Sequence, residues 1–247
     1  MNYGAQMSSK LKGAFGKDHV LRNKAVTKTC KKTISGRNLY RYRIDWEGQY
    51  VEWALAPKMY GPREPWFFDT PKLMIRDITG THRLELSLDR AKLYCDHTVL
   101  CCLRACDVNR FRAFETDSIE TSKHYSLELL LGLLASRAVS AYYYWNLTGE
   151  GVRTGGGFHT YPNTIRALPV FNIKMASKPQ QRSLQQIEEF AKRMLDLAAR
   201  ARDPKTPGAA TKLRRELYAL DRQIDLEVYQ LYNLTNEQIR SVENATQ

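Results

Sequence analysis

The sequence predicts an α+β fold: a twisted mixed or antiparallel β-sheet with packed helices, followed by a C-terminal helical hairpin. Three observations carry this expectation. Between Asn38 and Leu100 short runs alternate apolar with polar residues, the period of a half-buried strand. Residues 127–145 set their apolar side chains at helical spacing. Beyond Pro179 a mixture of Leu, Ala, Gln, Glu and Arg takes over, with the spacing of paired helices.

Taken in order, residues 39–44 and 46–53 read as strands, as do Lys72–Arg76 behind Pro71, residues 83–88 and residues 92–100. Ser126 caps a helix that puts Leu127, Leu130, Leu131, Leu134, Ala138, Ala141 and Trp145 on one face and stops before Gly149 and Gly151. The change of composition divides the chain into a sheet unit, residues 1–178, and a helical hairpin with a tail, residues 179–247, expected to dock a partner. Ser183 with Gln186 forms a capping box for a helix whose stripe of Leu184, Ile187, Phe190, Ala191, Met194, Leu195 and Ala198 ends near Arg202. Residues 203–208 break it, and Leu213, Leu217, Leu220, Ile224 and Leu231 then recur at coiled-coil spacing. Thr235 with Gln238 opens a last short helix over residues 236–243.

The 38 Lys and Arg outnumber the 26 Asp and Glu, for a net charge of +12, and such a field draws polyanions, nucleic acid first among them. Eleven of the cations lie within residues 1–43, against the single acid Asp18. An apolar content of 43% with 26% charged residues excludes wholesale disorder and a membrane-spanning class. Residues 127–145 approach the length of a span but hold Glu128 and Arg137, so they read as a buried helix. Five cysteines, an odd number, with no apolar N-terminal segment, point to a reducing cytoplasm.

Cys95, His97, Cys101, Cys102 and Cys106 are zinc-ligand types, but without a Cys-x-x-Cys pair they read as core cysteines, and no metal or cofactor is expected. The glycine-rich run 149–157 lacks the Lys-Ser or Lys-Thr of a nucleotide loop, while Arg153 at its middle suits a phosphate. Residues 57–72 mix cations, aromatics and prolines, a stiff loop that presents Arg63 and Lys72 to base edges or phosphates. The aromatics Tyr142, Tyr143, Tyr144 and Trp145 read as core first and as a base-stacking surface second. No serine elbow, His-Glu-x-x-His or glycine fingerprint occurs, and the chain reads as non-catalytic. Two alternatives stay open. Asp69, Asp77, Glu85 or Asp96 with magnesium would make a nuclease fragment, and the seam from Leu213 to Leu231 would make an assembly subunit.

A family resemblance sharpens this reading. The run Ser35, Gly36, Arg37, Asn38, Leu39, Tyr40, Arg41, Tyr42, the strand Lys72–Arg76, the stretch Tyr94, Cys95, Asp96, His97, Thr98 and the helix opening at Tyr125 and Ser126 occur in a familiar order. So do Leu168, Pro169 and Val170 ahead of paired helices, and the tail from Ile224 to Ile239. Over nearly its whole length the chain resembles the TaqI-like C-terminal specificity domain. The resemblance implies a target-recognition domain of a restriction-modification system that reads a short site in double-stranded DNA for a separate adenine methyltransferase, a restriction endonuclease, or both. The methyltransferase segment Asn-Pro-Pro-Tyr is absent. Tyr3, Gly4, Ala5 and Gln6 look like the family's first turn, normally preceded by a strand, which implies a split subunit or a truncated frame. Arg37, Arg41, Arg63, Lys72, Arg76 and Arg153 are the expected DNA contacts.

Overall fold

The computed structural model describes residues 1–7, 13–148 and 157–246. Its strands are β1 (Asn2–Tyr3), β2 (Leu21–Arg22), β3 (Cys30–Ile34), β4 (Leu39–Tyr40), β5 (Arg43–Ile44), β6 (Tyr50–Glu52), β7 (Lys72–Arg76), β8 (Leu86–Asp89), β9 (Tyr94–Cys95) and β10 (Val99–Cys102). The helices are α1 (Lys17–Val20), α2 (Pro65–Asp69), α3 (Ala105–Val108), α4 (Thr116–Lys123), α5 (Leu127–Ala135), α6 (Arg137–Asn146), α7 (Pro162–Arg166), α8 (Lys178–Arg200), α9 (Pro207–Leu231) and α10 (Asn236–Ala245). The fold is α+β, as expected.

One antiparallel sheet runs β1-β10-β7-β8, and a second runs β2-β6-β3-β9 with β3 and β9 parallel. The first sheet is buried on both faces, because alternate residues of its central strands feed different cores. Leu73, Ile75 and Leu100 join the helical side, where α5, α8 and α9 lie. Met74, Val99 and Cys101 join Ile34, Val51, Phe68 and Tyr94 on the side of the second sheet. This explains why β7 reads as a continuous apolar run between its terminal cations.

Several expected elements differ in the structure. Residues 39–44 form a hairpin, not one strand: Leu39 pairs with Ile44 across a two-residue turn, closed by Tyr42 at φ 61°. The left-handed backbone is held by burial of the Tyr42 ring and by its amide, which donates to Leu86 O at 2.8 Å. Residues 92–100 fold back at Asp96, so Cys95 and Cys101 sit on consecutive strands of the two sheets with sulfurs 3.5 Å apart, both buried. Residues 127–145 break at Ser136, whose hydroxyl donates to Leu133 O and accepts from Val139 N, ending one helix while capping the next. The long hairpin helix starts at Lys178 through a Ser177–Gln180 capping box, with Pro179 in its first turn, and Ser183 is buried inside it.

The hairpin shares the helical-side core: Leu184, Ile187, Met194, Leu213, Leu220 and Ile224 cluster with Leu73, Leu86 and Leu131. A Cβ at Gly132 would lie 2.6 Å from Ile187 Cγ2, so glycine permits the close approach of α5 to α8. Among the described residues no helix is long and apolar enough to cross a membrane.

Candidate nucleic-acid interface

The C-terminal ends of β3 and β7, α1 and the β9–β10 turn converge on a cleft of about 610 Å³. Its floor is built around Asp96. The Asp96 carboxylate accepts from Thr98 N at 3.0 Å, from the Thr98 hydroxyl, and from Lys17 Nζ at 2.5 Å. An Asp with a Thr two residues on favours such a turn. Thr98 Oγ1 in turn accepts from Gly36 N at 2.7 Å. A Cβ at Gly36 would stand 2.8 Å from Thr98 O, so this contact requires glycine.

That packing fixes the single-turn helix Gly36–Asn38, whose Asn38 side chain accepts from Ser35 N at 3.0 Å. Arg37 is thereby carried to the rim on a rigid turn. Its side chain is 72% exposed, and its acidic neighbour Glu47, at 3.7 Å, is 58% exposed, a pairing too solvated to neutralise it. Arg76 lines the same cleft, with Nη1 donating to Glu85 at 2.6 Å. Lys31 and Lys32 stand on the strand that ends there, Lys32 resting 4.5 Å from the centre of the Trp46 ring. Guanidinium, ammonium, hydroxyl and the Gln49 amide together offer what phosphates and base edges bind.

Of the six expected contacts, the structure brings Arg37 and Arg76 together. Arg63 lies elsewhere, its Nε donating to Tyr3 O at 3.0 Å and its Nη2 to Asn2 Oδ1 at 3.2 Å, which clamps β1. Two expectations are corrected. Lys72 is 0% exposed, donates to Phe68 O at 2.6 Å and pairs with buried Asp89, so its ammonium faces the interior. Arg41 donates to Ala135 O at 3.0 Å and to Asp221 at 3.2 Å, serving the buried carbonyl end of α5 as a cation suits a helix C-terminus. Arg83 does likewise, and Asp225 accepts from Arg137 N at 2.8 Å at the start of α6. Burial pulls the Asp221 carboxyl up, but Arg41 and Arg83 outweigh it and hold it below the ordinary value, whereas burial leaves Asp225 raised. Arg153 lies outside the described residues, as does most of its glycine run.

Lys17, Gln49, Asp96 and Thr98 also line the cleft. Gln49 has no signal in the sequence, and Lys17 figures there only as part of the basic stretch; Asp96 and Thr98 figure as a carboxylate of the nuclease alternative and as part of the family stretch, not as DNA contacts. The carboxylates of the nuclease alternative are engaged by other groups. Asp69 accepts from Tyr94 OH at 3.5 Å, and Glu85 binds Arg76. Asp77 accepts from Tyr3 OH at 3.3 Å and lies 3.8 Å from His159 Nδ1, its carboxyl pushed up by burial. Among the described residues no three His, Cys, Asp or Glu side chains are placed to hold a metal ion.

Comparison with curated proteins finds no match. Among solved structures, the fold is similar to that of the Type IIL restriction-modification enzyme MmeI in complex with DNA, with a TM-score of 0.56 and 13% sequence identity. The similarity covers 99% of this chain but 35% of that one, so the chain spans about a third of MmeI's length. The profile of the TaqI-like C-terminal specificity domain matches residues 31–170, which include β3, the Gly36 turn, β7 and the Asp96 turn that build the cleft. With more than half of its length matched, the chain belongs to the TaqI-like C-terminal specificity domain family.

Proposed function

We propose that this specificity domain reads a short site in double-stranded DNA through the cleft between β3 and β7, and supplies no catalysis of its own. The observation that carries the reading is Arg37: an exposed cation on a turn fixed by Gly36, Asn38 and Thr98, beside the hydroxyls and amide of Ser35, Thr98 and Gln49. A guanidinium carried on a pre-ordered backbone turn has less freedom to lose on binding than one on a mobile loop, and it matches the acceptor pair of guanine. Arg76 lies deeper, where DNA competes with Glu85 for it. The basic stretch before residue 43 neutralises phosphates, joined by Arg63 and Arg153. The domain directs a separate adenine methyltransferase or restriction endonuclease to that site. The Leu213 to Leu231 seam is turned into this chain's own core, so a partner would meet the outer face of α9, where Tyr218 and Leu226 stand exposed.

The test is selection from random-sequence duplexes at several salt concentrations, by the chain alone and with a candidate methyltransferase, followed by sequencing of what is retained. One enriched motif is expected. Binding without a motif under both conditions would remove the specificity reading and leave assembly as the function.

A further inference from the structure

A second cleft of about 960 Å³ opens at the other end of β7, between α2, the β8–β9 turn and the loop after α3. Its cations are of two kinds. Arg90 pairs with Glu128, and Arg104 holds both carboxylate oxygens of Asp107 at 2.7 Å, so these are neutralised within the fold. Lys92 and Arg110, which also line the cleft, and Arg112 beyond it have neither a hydrogen-bond acceptor nor an acidic partner among the described residues.

The two arginine side chains, and the backbone turn that carries Lys92, are held in place by the fold. The Trp66 and Phe111 rings stack with centroids 5.2 Å apart and planes within 9°, and the Arg110 guanidinium lies 4.6 Å from the Phe111 centroid. Arg112 lies over Phe114 at 5.7 Å. Stacking restrains a guanidinium while leaving its N–H edge open to an oxygen acceptor. Lys92 sits at φ 57° in a turn whose Ala91 and Leu93 amides donate to Asp89 at 2.8 and 3.0 Å. Asp89 is itself pinned by buried Lys72, which makes Lys72 a positioning residue for this turn.

We propose that Lys92, Arg110 and Arg112 form a second contact with the DNA backbone, gripping phosphates while the first cleft reads bases. This inference rests on the specificity reading. Unpaired cations with open N–H edges fit phosphate oxygens, and a contact with phosphates carries no sequence information. The five residues of β7 separate the two clefts by about 17 Å at roughly 3.4 Å per residue. That equals about five base-pair rises, a span one short duplex covers.

The 247-residue chain is titrated with random-sequence duplex over a range of salt, and the slope of log affinity against log salt is read. In an Arg110→Ala/Arg112→Ala variant the slope is expected to be shallower by about two, at roughly 0.9 per lost phosphate contact, with the enriched motif unchanged. Arg110→Lys/Arg112→Lys should keep the slope. Lys92→Ala, on a separate turn, should reduce it by about one whatever the Arg loop tolerates. Unchanged slopes in folded Arg110/Arg112 and Lys92 variants would overturn the proposal, and a changed motif would overturn the backbone assignment. Should the unsubstituted chain bind no duplex, the specificity reading falls with it; duplex binding with unaltered slopes in the variants removes the second contact alone.

Discussion

Arg37 and Lys72 are both cations beside a glycine or proline, yet one reaches solvent and the other is sealed inside. Arg37→Ala is expected to cost about 1–3 kcal/mol of discrimination at one base position, read from the motifs selected before and after the change. Lys72→Met should instead lower stability by about 3–5 kcal/mol, because buried Asp89 is left without its partner; a denaturant midpoint measures this. A third residue sets an acid limit. Glu52 accepts from Thr27 Oγ1 at 2.6 Å and from the Thr29 hydroxyl, and these bonds, Thr27 first, hold its carboxyl at about 2 against an ordinary 4.5. Its folded value is the lower one, so its contribution is complete above pH 4.5 and drains as pH falls towards 2. Glu52→Gln should cost about 1–3 kcal/mol at neutral pH and flatten the fall in stability across that window, measured by urea unfolding at a series of pH values.

At the scale of elements, the junctions decide more than the elements themselves. The α5–α8 contact depends on Gly132, and Gly132→Ala is expected to destabilise by about 1–3 kcal/mol, since Ile187 is fixed in the core and cannot yield freely. A thermal melt reads it. Periodicity exposed α8, α9, α10 and β7 in the sequence because each buries one regular stripe or run. It merged α5 with α6, and β4 with β5, because the breaks at Ser136 and Tyr42 leave the hydrophobic pattern undisturbed. Those breaks are set by tertiary partners: Arg41 and Arg83 on the Ala135 carbonyl, and the core that receives the Tyr42 ring.

For the whole molecule, a largely buried network of Arg41, Arg83 and Arg137 with Asp221 and Asp225, in which Arg83 and Asp225 lie deepest, joins the sheet unit to the hairpin. Removing one member strands opposite charges, so Asp221→Ala should cost about 3–5 kcal/mol. Because both parts share one core, unfolding of the variant is expected to remain a single transition, followed by circular dichroism in urea. DNA binding by the intact chain should weaken steeply with salt, with a slope near minus five if about six phosphates are contacted at roughly 0.9 each.

The sequence by itself determined the α+β class, the paired C-terminal helices, the caps at Ser126 and Thr235, the burial of Cys95 and Cys101, and the basic N-terminal stretch. These are properties of spacing and composition, carried within a few residues. Tertiary structure alone decided which cations are free. Lys72 meets its acid 17 positions away and Arg41 meets Asp221 180 positions away, while Arg37 is left in solvent by a turn locked onto Thr98, 62 positions from Gly36. Local periodicity records which face of an element is apolar; it holds no record of which distant carboxylate will neutralise a given charge.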